Sequence, residues 1–235
     1  YALAPLKEAY YKLHNPASPQ DISLSSERIA IEEYFLLVSA FKVIKGDGEK
    51  VRTNAYSVSE SDAEEFIRSF PFEFTDGQKS AVNDVLRDLR SPKVMNRLLQ
   101  GDVGCGKTAV ALTAAYMAVK SGYQVAMLAP TEVLARQNAA QLAKYLSGYK
   151  TAFLSGSPPA AEKRAVKNWL KSGEISVVCG THAVIQRDVE FKNLSLVICD
   201  EQQRFGVAQR SALTEKGENC DCLVMSATPI PRTLS

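Results

Sequence analysis

One stretch of eight residues constrains the fold more than any other part of the sequence. Gly101–Thr108 reads GDVGCGKT and fits the pattern GxxxxGK[ST]. The apolar run Arg97–Gln100 precedes it, and the helix-forming segment Lys107–Lys120 follows it. A strand, a glycine-rich turn and a helix in this order are the context in which the pattern forms a phosphate-binding loop. The sequence therefore predicts an α/β domain with this loop at the end of a strand.

Each residue type in the loop has an expected role. Glycines let backbone N–H groups surround the phosphates, and the following helix N-terminus adds positive potential. Lys107 is expected to reach the outer phosphates, and the hydroxyl of Thr108 is expected to hold Mg²⁺. The candidate residues for a nucleotide and its Mg²⁺ here are Gly101, Gly104, Cys105, Gly106, Lys107 and Thr108.

The rest of the chain from Phe74 onward alternates short apolar runs with amphipathic helices. Strands separated by helices predict a mainly parallel sheet covered on both faces. The predicted strands are 97–100, 124–129, 151–154, 175–179, 194–199 and 222–225. The predicted helices are 76–89, 107–120, 132–146, 160–171 and 207–213.

An acidic pair at the end of a predicted strand supplies the second half of a nucleotide site. The run Leu196–Cys199 leads directly into Asp200 and Glu201. Asp200 is expected to hold Mg²⁺, and Glu201 to orient and deprotonate the attacking water. Together with Lys107 they are the candidate catalytic residues, because ligands of parallel sheets bind at the carboxyl ends of the strands.

The segment FTDGQ, residues 74–78, allows two interpretations. Thr75 followed by Gln78 is a capping box that starts a helix. The Gln78 amide also offers a donor and an acceptor, as adenine recognition requires, so Phe74 and Gln78 are candidates for the nucleotide site. Both interpretations stay open at this point.

Two further segments place threonines where helices begin after strands. Thr131 follows the strand at 124–129, and Thr181 with His182 follows the strand at 175–179. Threonine often caps a helix. Paired helix N-termini at one sheet edge also bind the phosphates of a nucleic-acid backbone. Spacing does not decide between these roles.

Composition narrows the classes of function that the chain could have. A formal charge of +2 does not identify a nucleic-acid binder by global electrostatics. The CxC of Cys220 and Cys222 lacks nearby histidines to complete a zinc site. No apolar run is long enough to cross a bilayer and no leader is recognisable, so we expect a cytoplasmic protein without a membrane partner. Because the chain starts at Tyr1 and stops soon after a mid-protein motif, we expect it to be a fragment.

The first 72 residues differ from the remainder. An apolar stripe predicts a helix over 25–45, and a polar loop and a short helix at 60–69 follow. We expect residues 1–72 to form a helical linker and residues 73–235 to form the nucleotide-binding domain.

The motifs taken together resemble those of superfamily 2 helicases. FTxxQ, GDVGCGKT, APTEVLA, GTHAVIQ, DEQQRFG and SATPIPRTL occur here in the order and spacing of that group. Within it, QGDVG, APTE, GTHA, RFGVAQR, ATPIPRTL and the upstream LHNP look most like the RecG family.

This resemblance implies the first of two RecA-like motor lobes in an ATP-dependent DNA helicase. Such an enzyme uses ATP and Mg²⁺ to move branched double-stranded DNA past a wedge domain, in recombination and repair. The wedge and the second lobe are then expected in the same polypeptide, and a monomer suffices. The resemblance assigns the coupling of hydrolysis to lobe movement to Gln203, Ser226, Ala227, Thr228 and Arg232.

One position departs from the RecG pattern, and two other functions compete. Gln203 stands where RecG-like sequences have the histidine of DEQH. The first alternative is a transcription-repair coupling translocase, which shares GDVG, RFGV and the PIPRTL segment. The second is a nucleotide-dependent switch that does not move DNA. DEQ instead of DEE, and the LHNP segment, favour the RecG family.

Overall fold

The structure is a computed structural model that describes residues 5–45, 55–57, 59–200 and 220–227, with only the backbone described at 33–45. Tertiary contacts divide the chain into two units, whose boundary falls between Glu49 and Lys50. Within the described ranges no helix is both long and apolar enough to span a membrane.

The smaller unit contains two helices that pack on each other, α1 (Leu6–His14) and α2 (Pro19–Lys45). The helix predicted from residue 25 begins earlier. Ser18 and Asp21 exchange hydrogen bonds at its start, the Ser18 N–H donating to the Asp21 carboxylate at 3.0 Å and the Asp21 N–H to the Ser18 hydroxyl at 3.3 Å. Proline is favoured in the first helical turn, so Pro19 extends the helix beyond its apolar stripe.

The larger unit begins with α3 (Glu60–Arg68) and α4 (Asp76–Arg90), which both pack against α5 (Lys107–Lys120). The ring of Phe66 on α3 stacks on Tyr116 of α5 with centroids 4.3 Å apart. α3 was placed in the linker at 1–72 by the sequence analysis, whereas its contacts lie within the unit that holds the phosphate-binding loop. The division into a linker and a motor domain stays a prediction.

Six parallel strands form the sheet in the order β1-β6-β5-β2-β4-β3. Their bounds are β1 Asn96–Gln100, β2 Gln124–Leu128, β3 Thr151–Leu154, β4 Val177–Gly180, β5 Leu194–Asp200 and β6 Asp221–Ser226. The connecting helices are α6 (Glu132–Tyr145) and α7 (Ala160–Ser172), with a short 3-10 helix at His182–Ile185. The α/β class and the six predicted strands are confirmed. The helix predicted at 207–213 lies outside the described residues.

Alternate residues of each central strand point to opposite faces of the sheet, and both faces are buried. In β5, Leu196 and Ile198 join the core that α3 to α6 cover. Val197 and Cys199 join the second core, which α7 and the 3-10 helix cover. This explains why the central strands are mostly apolar, while β1 at the sheet edge alternates between exposed and half-buried residues.

Candidate nucleotide-binding site

The glycine-rich loop connects the end of β1 to the start of α5, as predicted. Gly104 and Gly106 have φ values of 82° and 85°, in the left-handed region that residues with a Cβ adopt only at a cost. A Cβ at Gly106 would also lie 2.1 Å from Nε2 of Gln78. Gly106 is therefore required by its backbone conformation, and a Cβ there would also displace the Gln78 amide.

Lys107 lies in the first turn of α5 and folds back over the loop. Its Nζ donates to the carbonyl oxygens of Gly101 at 2.6 Å and Asp102 at 2.8 Å. The ammonium is thus held against the backbone that is expected to surround the phosphates. Because an anion at the helix N-terminus competes with these carbonyls for the same charge, we expect Lys107 to exchange them for phosphate oxygens.

A cavity of about 390 Å³ adjoins the loop. Gly104, Gly106, Lys107 and Thr108 lie on one side of it, and the aromatic residues Phe70, Phe72 and Tyr145 also line it. Its mixture of loop backbone, the two cations Lys107 and Lys144, and aromatic rings is of the kind that small-molecule sites use.

Phe74 differs from its expected place in the nucleotide site. Its side chain is only 3% exposed, and its ring packs edge-on against Phe70 with centroids 5.3 Å apart. The exposed ring of this segment is Phe72, which is 47% exposed and lines the cavity. Phe74 contacts the cavity residues Phe70 and Phe72, and its own role in nucleotide binding stays a prediction. The alternation of PFEF did not reveal which phenylalanine lines the cavity, because that depends on which ring is buried against Phe70 in the folded chain.

Gln78 forms the predicted capping box at the start of α4. Its N–H donates to Thr75 Oγ1 at 3.3 Å, and its Oε1 accepts from the Thr75 N–H at 2.9 Å. Its Nε2 donates to the carbonyl of Cys105 at 2.8 Å. The capping role is therefore present, and the same side chain also links α4 to the phosphate-binding loop. Contact with adenine stays a prediction.

The strand order brings the acidic motif to the edge of the sheet that carries the loop. β6 lies between β1 and β5, and the Gly101 N–H donates to the carbonyl of Ser226, the last residue of β6, at 3.2 Å. Asp200 ends β5, one strand further along, and is half-buried. Two strand spacings, about 10 Å, therefore separate the ends of β1 and β5. Ser226, a candidate coupling residue, lies beside the loop.

The oxygen donors at this edge suit Mg²⁺ shared with a nucleotide. Asp200 offers a carboxylate and Thr108 a hydroxyl, the hard oxygen ligands that Mg²⁺ prefers. In the part of the chain that the structure describes, no three His, Cys, Asp or Glu residues cluster to hold a metal. Mg²⁺ commonly takes only one or two protein ligands and completes its shell with water and phosphate oxygens, so two donors fit.

A residue that sequence reasoning missed contacts Asp200. The Nδ2 of Asn138 on α6 donates to the Asp200 carboxylate at 3.0 Å. Asn138 is 5% exposed. The available signal was a polar residue on the apolar face of α6, between Ala135 and Leu142. Cys179 also lies near this carboxylate, and burial together with the charge of Asp200 raises the pKa of its thiol to about 12.

The candidate DNA-contact residues follow neighbouring strands. Thr131 follows β2 and caps α6, its Oγ1 accepting from the Leu134 N–H at 3.3 Å. Thr181 follows β4 and is buried, without a capping bond from its side chain, while His182 is exposed. β2 and β4 are paired, so these residues share the sheet edge predicted for them. Their contact with DNA stays a prediction.

The remaining site candidates divide into two groups. Ala227 is half-buried just after β6. The others lie outside the described residues and their roles stay predictions: Glu201, Gln203, Thr228 and Arg232.

Comparison with known proteins places this site in a family. The ATP-dependent DNA helicase RecG of Thermotoga maritima is 47% identical to this chain over 98% of its length, and that of Aquifex aeolicus is 45% identical over 95%. The chain spans 30% of the length of each relative. A structure of RecG bound to a three-way DNA junction superposes with a TM-score of 0.83 at 45% identity, covering 97% of this chain and 31% of that one.

A more distant structure, the UvsW helicase from bacteriophage T4, shares the fold with a TM-score of 0.56 at 18% identity, over 74% of this chain and 62% of its own. Residues 75–235, which contain the loop, Asp200 and Ser226, match the DEAD/DEAH box helicase family. The chain therefore belongs to the DEAD/DEAH box helicases.

Proposed function

We propose that this chain is the ATP-binding motor lobe of a RecG-type helicase that moves branched double-stranded DNA in recombination and repair. The observation that carries the proposal is the shared edge of β1, β6 and β5, where the phosphate-binding loop, Ser226 and Asp200 meet. Similarity to RecG over 98% of the chain supports the RecG type. The similar structure that binds a three-way junction supports branched DNA as the substrate.

In this proposal the residues of the chain divide the work of hydrolysis. The loop backbone and Lys107 bind the β- and γ-phosphates of ATP, and Thr108 and Asp200 hold Mg²⁺, which neutralises charge on the phosphates. Glu201 orients the attacking water and accepts its proton. Residues 226–228 pass the change in nucleotide state to a second lobe, and Thr131, Thr181 and His182 contact the DNA backbone. The proposal extends to a cytoplasmic protein that works as a monomer.

Lys107→Ala tests the phosphate site. The substitution removes a half-buried cation from the first turn of α5 but no apolar side chain of the core, so we expect ATP turnover by the complete protein to be abolished while its melting temperature stays near that of the wild type. The measurement is steady-state ATPase with and without a synthetic fork, beside a thermal melt. Unchanged turnover in the folded variant would refute the assignment.

The same preparations distinguish the competing functions. DNA-stimulated hydrolysis separates a motor from a nucleotide-dependent switch. Regression of a synthetic fork, compared with displacement of a stalled RNA polymerase, separates the RecG type from a transcription-repair coupling translocase.

A further inference from the structure

The buried face of α6 contains one polar residue among apolar ones. Its buried positions are Ala135, Asn138 and Leu142, which follow the spacing of a helix face turned to the core. A leucine at position 138 would continue that face without any polar group to satisfy. Burying an amide is unfavourable unless it is hydrogen-bonded, so the contact that Asn138 makes needs an explanation beyond packing.

That contact is with the carboxylate on which the proposed Mg²⁺ site depends. Asn138 Nδ2 donates to Oδ2 of Asp200 at 3.0 Å. Among the residues that the structure describes, no other side chain donates to this carboxylate. One of its oxygens is thereby fixed, and a metal ion or a metal-bound water would use the second oxygen.

The chemical type of the donor matters as much as its position. A lysine or a protonated histidine at position 138 would place a positive charge beside Asp200 and would oppose the binding of a cation there. An amide donates a hydrogen bond without a formal charge. It can therefore hold the rotamer of the carboxylate while leaving its negative charge available to Mg²⁺, as outer-shell partners do at other metal sites.

We propose that Asn138 is a positioning residue that fixes the Asp200 carboxylate for Mg²⁺ and so couples metal binding to nucleotide binding. The inference rests on the proposed function, since it takes Asp200 as the Mg²⁺ ligand. It assigns to α6 a role in the nucleotide site that none of the motif residues provides.

The test measures binding of a fluorescent ADP analogue to the complete protein, once with Mg²⁺ and once with EDTA. The dissociation constant in EDTA divided by the dissociation constant in Mg²⁺ reports how strongly the metal and the nucleotide assist each other's binding. We expect Asn138→Leu to reduce this ratio about 10-fold, the scale typical of lost outer-shell contacts, and to leave the EDTA value unchanged. Its melting temperature should equal or exceed that of the wild type, because leucine suits the apolar face.

Three variants sharpen the test. Asn138→His keeps an N–H donor and should restore part of the ratio above pH 7.5, where a free imidazole is mostly neutral. Asn83→Leu makes the same substitution at an exposed position of α4 and should behave as the wild type. If the leucine variant fails to fold, Asn138→Ala removes the same donor with a smaller side chain.

A ratio in folded Asn138→Leu or Asn138→Ala that lies within about twofold of the wild type would overturn the inference, since lost outer-shell contacts cost more than that. Asp200→Asn distinguishes this failure from failure of the proposed function. If Asp200→Asn brings the ratio to about 1 and Asn138→Leu leaves it near the wild-type value, only the role proposed for Asn138 is wrong. If the wild type binds nucleotide without any response to Mg²⁺, both are wrong.

Discussion

Gln78 illustrates how one side chain can satisfy two structural demands at once. Its Oε1 closes the capping box on Thr75, and its Nε2 donates to the carbonyl of Cys105 in the phosphate-binding loop. Both of its polar atoms are therefore engaged. Each atom keeps one further hydrogen-bonding position, because Nε2 carries two hydrogens and Oε1 two lone pairs, so adenine binding by this amide would add to these bonds and need not break them.

A pair of substitutions separates these roles at the level of single residues. Thr75→Ala removes the cap acceptor and leaves the Gln78 amide, so it should lower the free energy of unfolding by about 1 kcal/mol without changing the preference for ATP over GTP. Gln78→Ala should destabilise α4 to a similar extent and also abolish the preference. Thermal melts and nucleotide competition give the two quantities. Retained preference in Gln78→Ala would exclude adenine recognition by this residue.

At the level of elements, the segment before α3 is tied to the amino edge of the sheet. Asp221, the first residue of β6, is 1% exposed. Its carboxylate accepts from the Met95 N–H at 2.6 Å and from the Tyr56 hydroxyl at 2.7 Å. Burial, followed by the charge of Asp221, raises the pKa of the Tyr56 phenol well above its usual value. The Tyr56 hydroxyl also lies 3.0 Å from the carbonyl oxygen of Ser195 in β5, so this network, at the edge opposite to the nucleotide site, ties the segment before α3 to β5 and β6.

Tyr56→Phe should therefore destabilise the protein. Removing the hydroxyl takes one hydrogen-bond donor away from the buried Asp221 carboxylate, which should lower the free energy of unfolding by about 1 to 3 kcal/mol at pH 8. The measurement is denaturant unfolding, and Tyr11→Phe, at an exposed position of α1, is the matched control.

The pH dependence of the free energy of unfolding gives a second prediction for Tyr56, with a definite sign. The phenol stays protonated in the folded state, but it loses its proton in the unfolded chain above the ordinary value of 10.0. The free energy of unfolding of the wild type should thus fall as pH rises past that value. It should fall less steeply in Tyr56→Phe, and one proton accounts for a difference in slope of up to about 1.4 kcal/mol per pH unit. Equal slopes above that pH in both proteins would contradict the burial of an un-ionised phenol.

At the scale of the whole molecule, the chain spans about a third of the length of its RecG relatives. In helicases with two motor lobes, the second lobe closes over the nucleotide and supplies arginines to the γ-phosphate. An arginine of this kind contributes about 10³ to 10⁵ in rate in related phosphoryl-transfer enzymes. The cavity beside the phosphate-binding loop would then be one wall of a larger cleft.

Residues 1–235 alone should therefore show negligible DNA-stimulated ATP hydrolysis, although weak nucleotide binding persists. Activity should return when the second lobe and the wedge are present in the same polypeptide. The measurement is ATPase with fork DNA for both proteins, and Glu201→Gln identifies contaminating activity. Strong DNA-stimulated turnover by residues 1–235 that Glu201→Gln removes would contradict the two-lobe account.

The sequence by itself determined the features that depend on neighbouring residues. Strand and helix positions followed from local periodicity, and the phosphate-binding loop followed from glycine spacing between a strand and a helix. The capping box of Thr75 and Gln78 was equally readable, because all of its atoms lie within one helical turn. The sequence also placed Asp200 at a strand end. It could not show which strands are neighbours.

The tertiary structure alone decided the relations between distant segments. The insertion of β6 between β1 and β5 places Ser226 beside the loop, and the packing of α6 brings Asn138 to a carboxylate 62 positions along the chain. Tertiary packing likewise decided that Phe72, and not Phe74, lines the cavity, since the ring of Phe74 is buried against Phe70. Periodicity can mark Asn138 as a polar residue on an apolar face, but it cannot name the partner in any of these contacts, because partners depend on how buried faces of separate elements fit together.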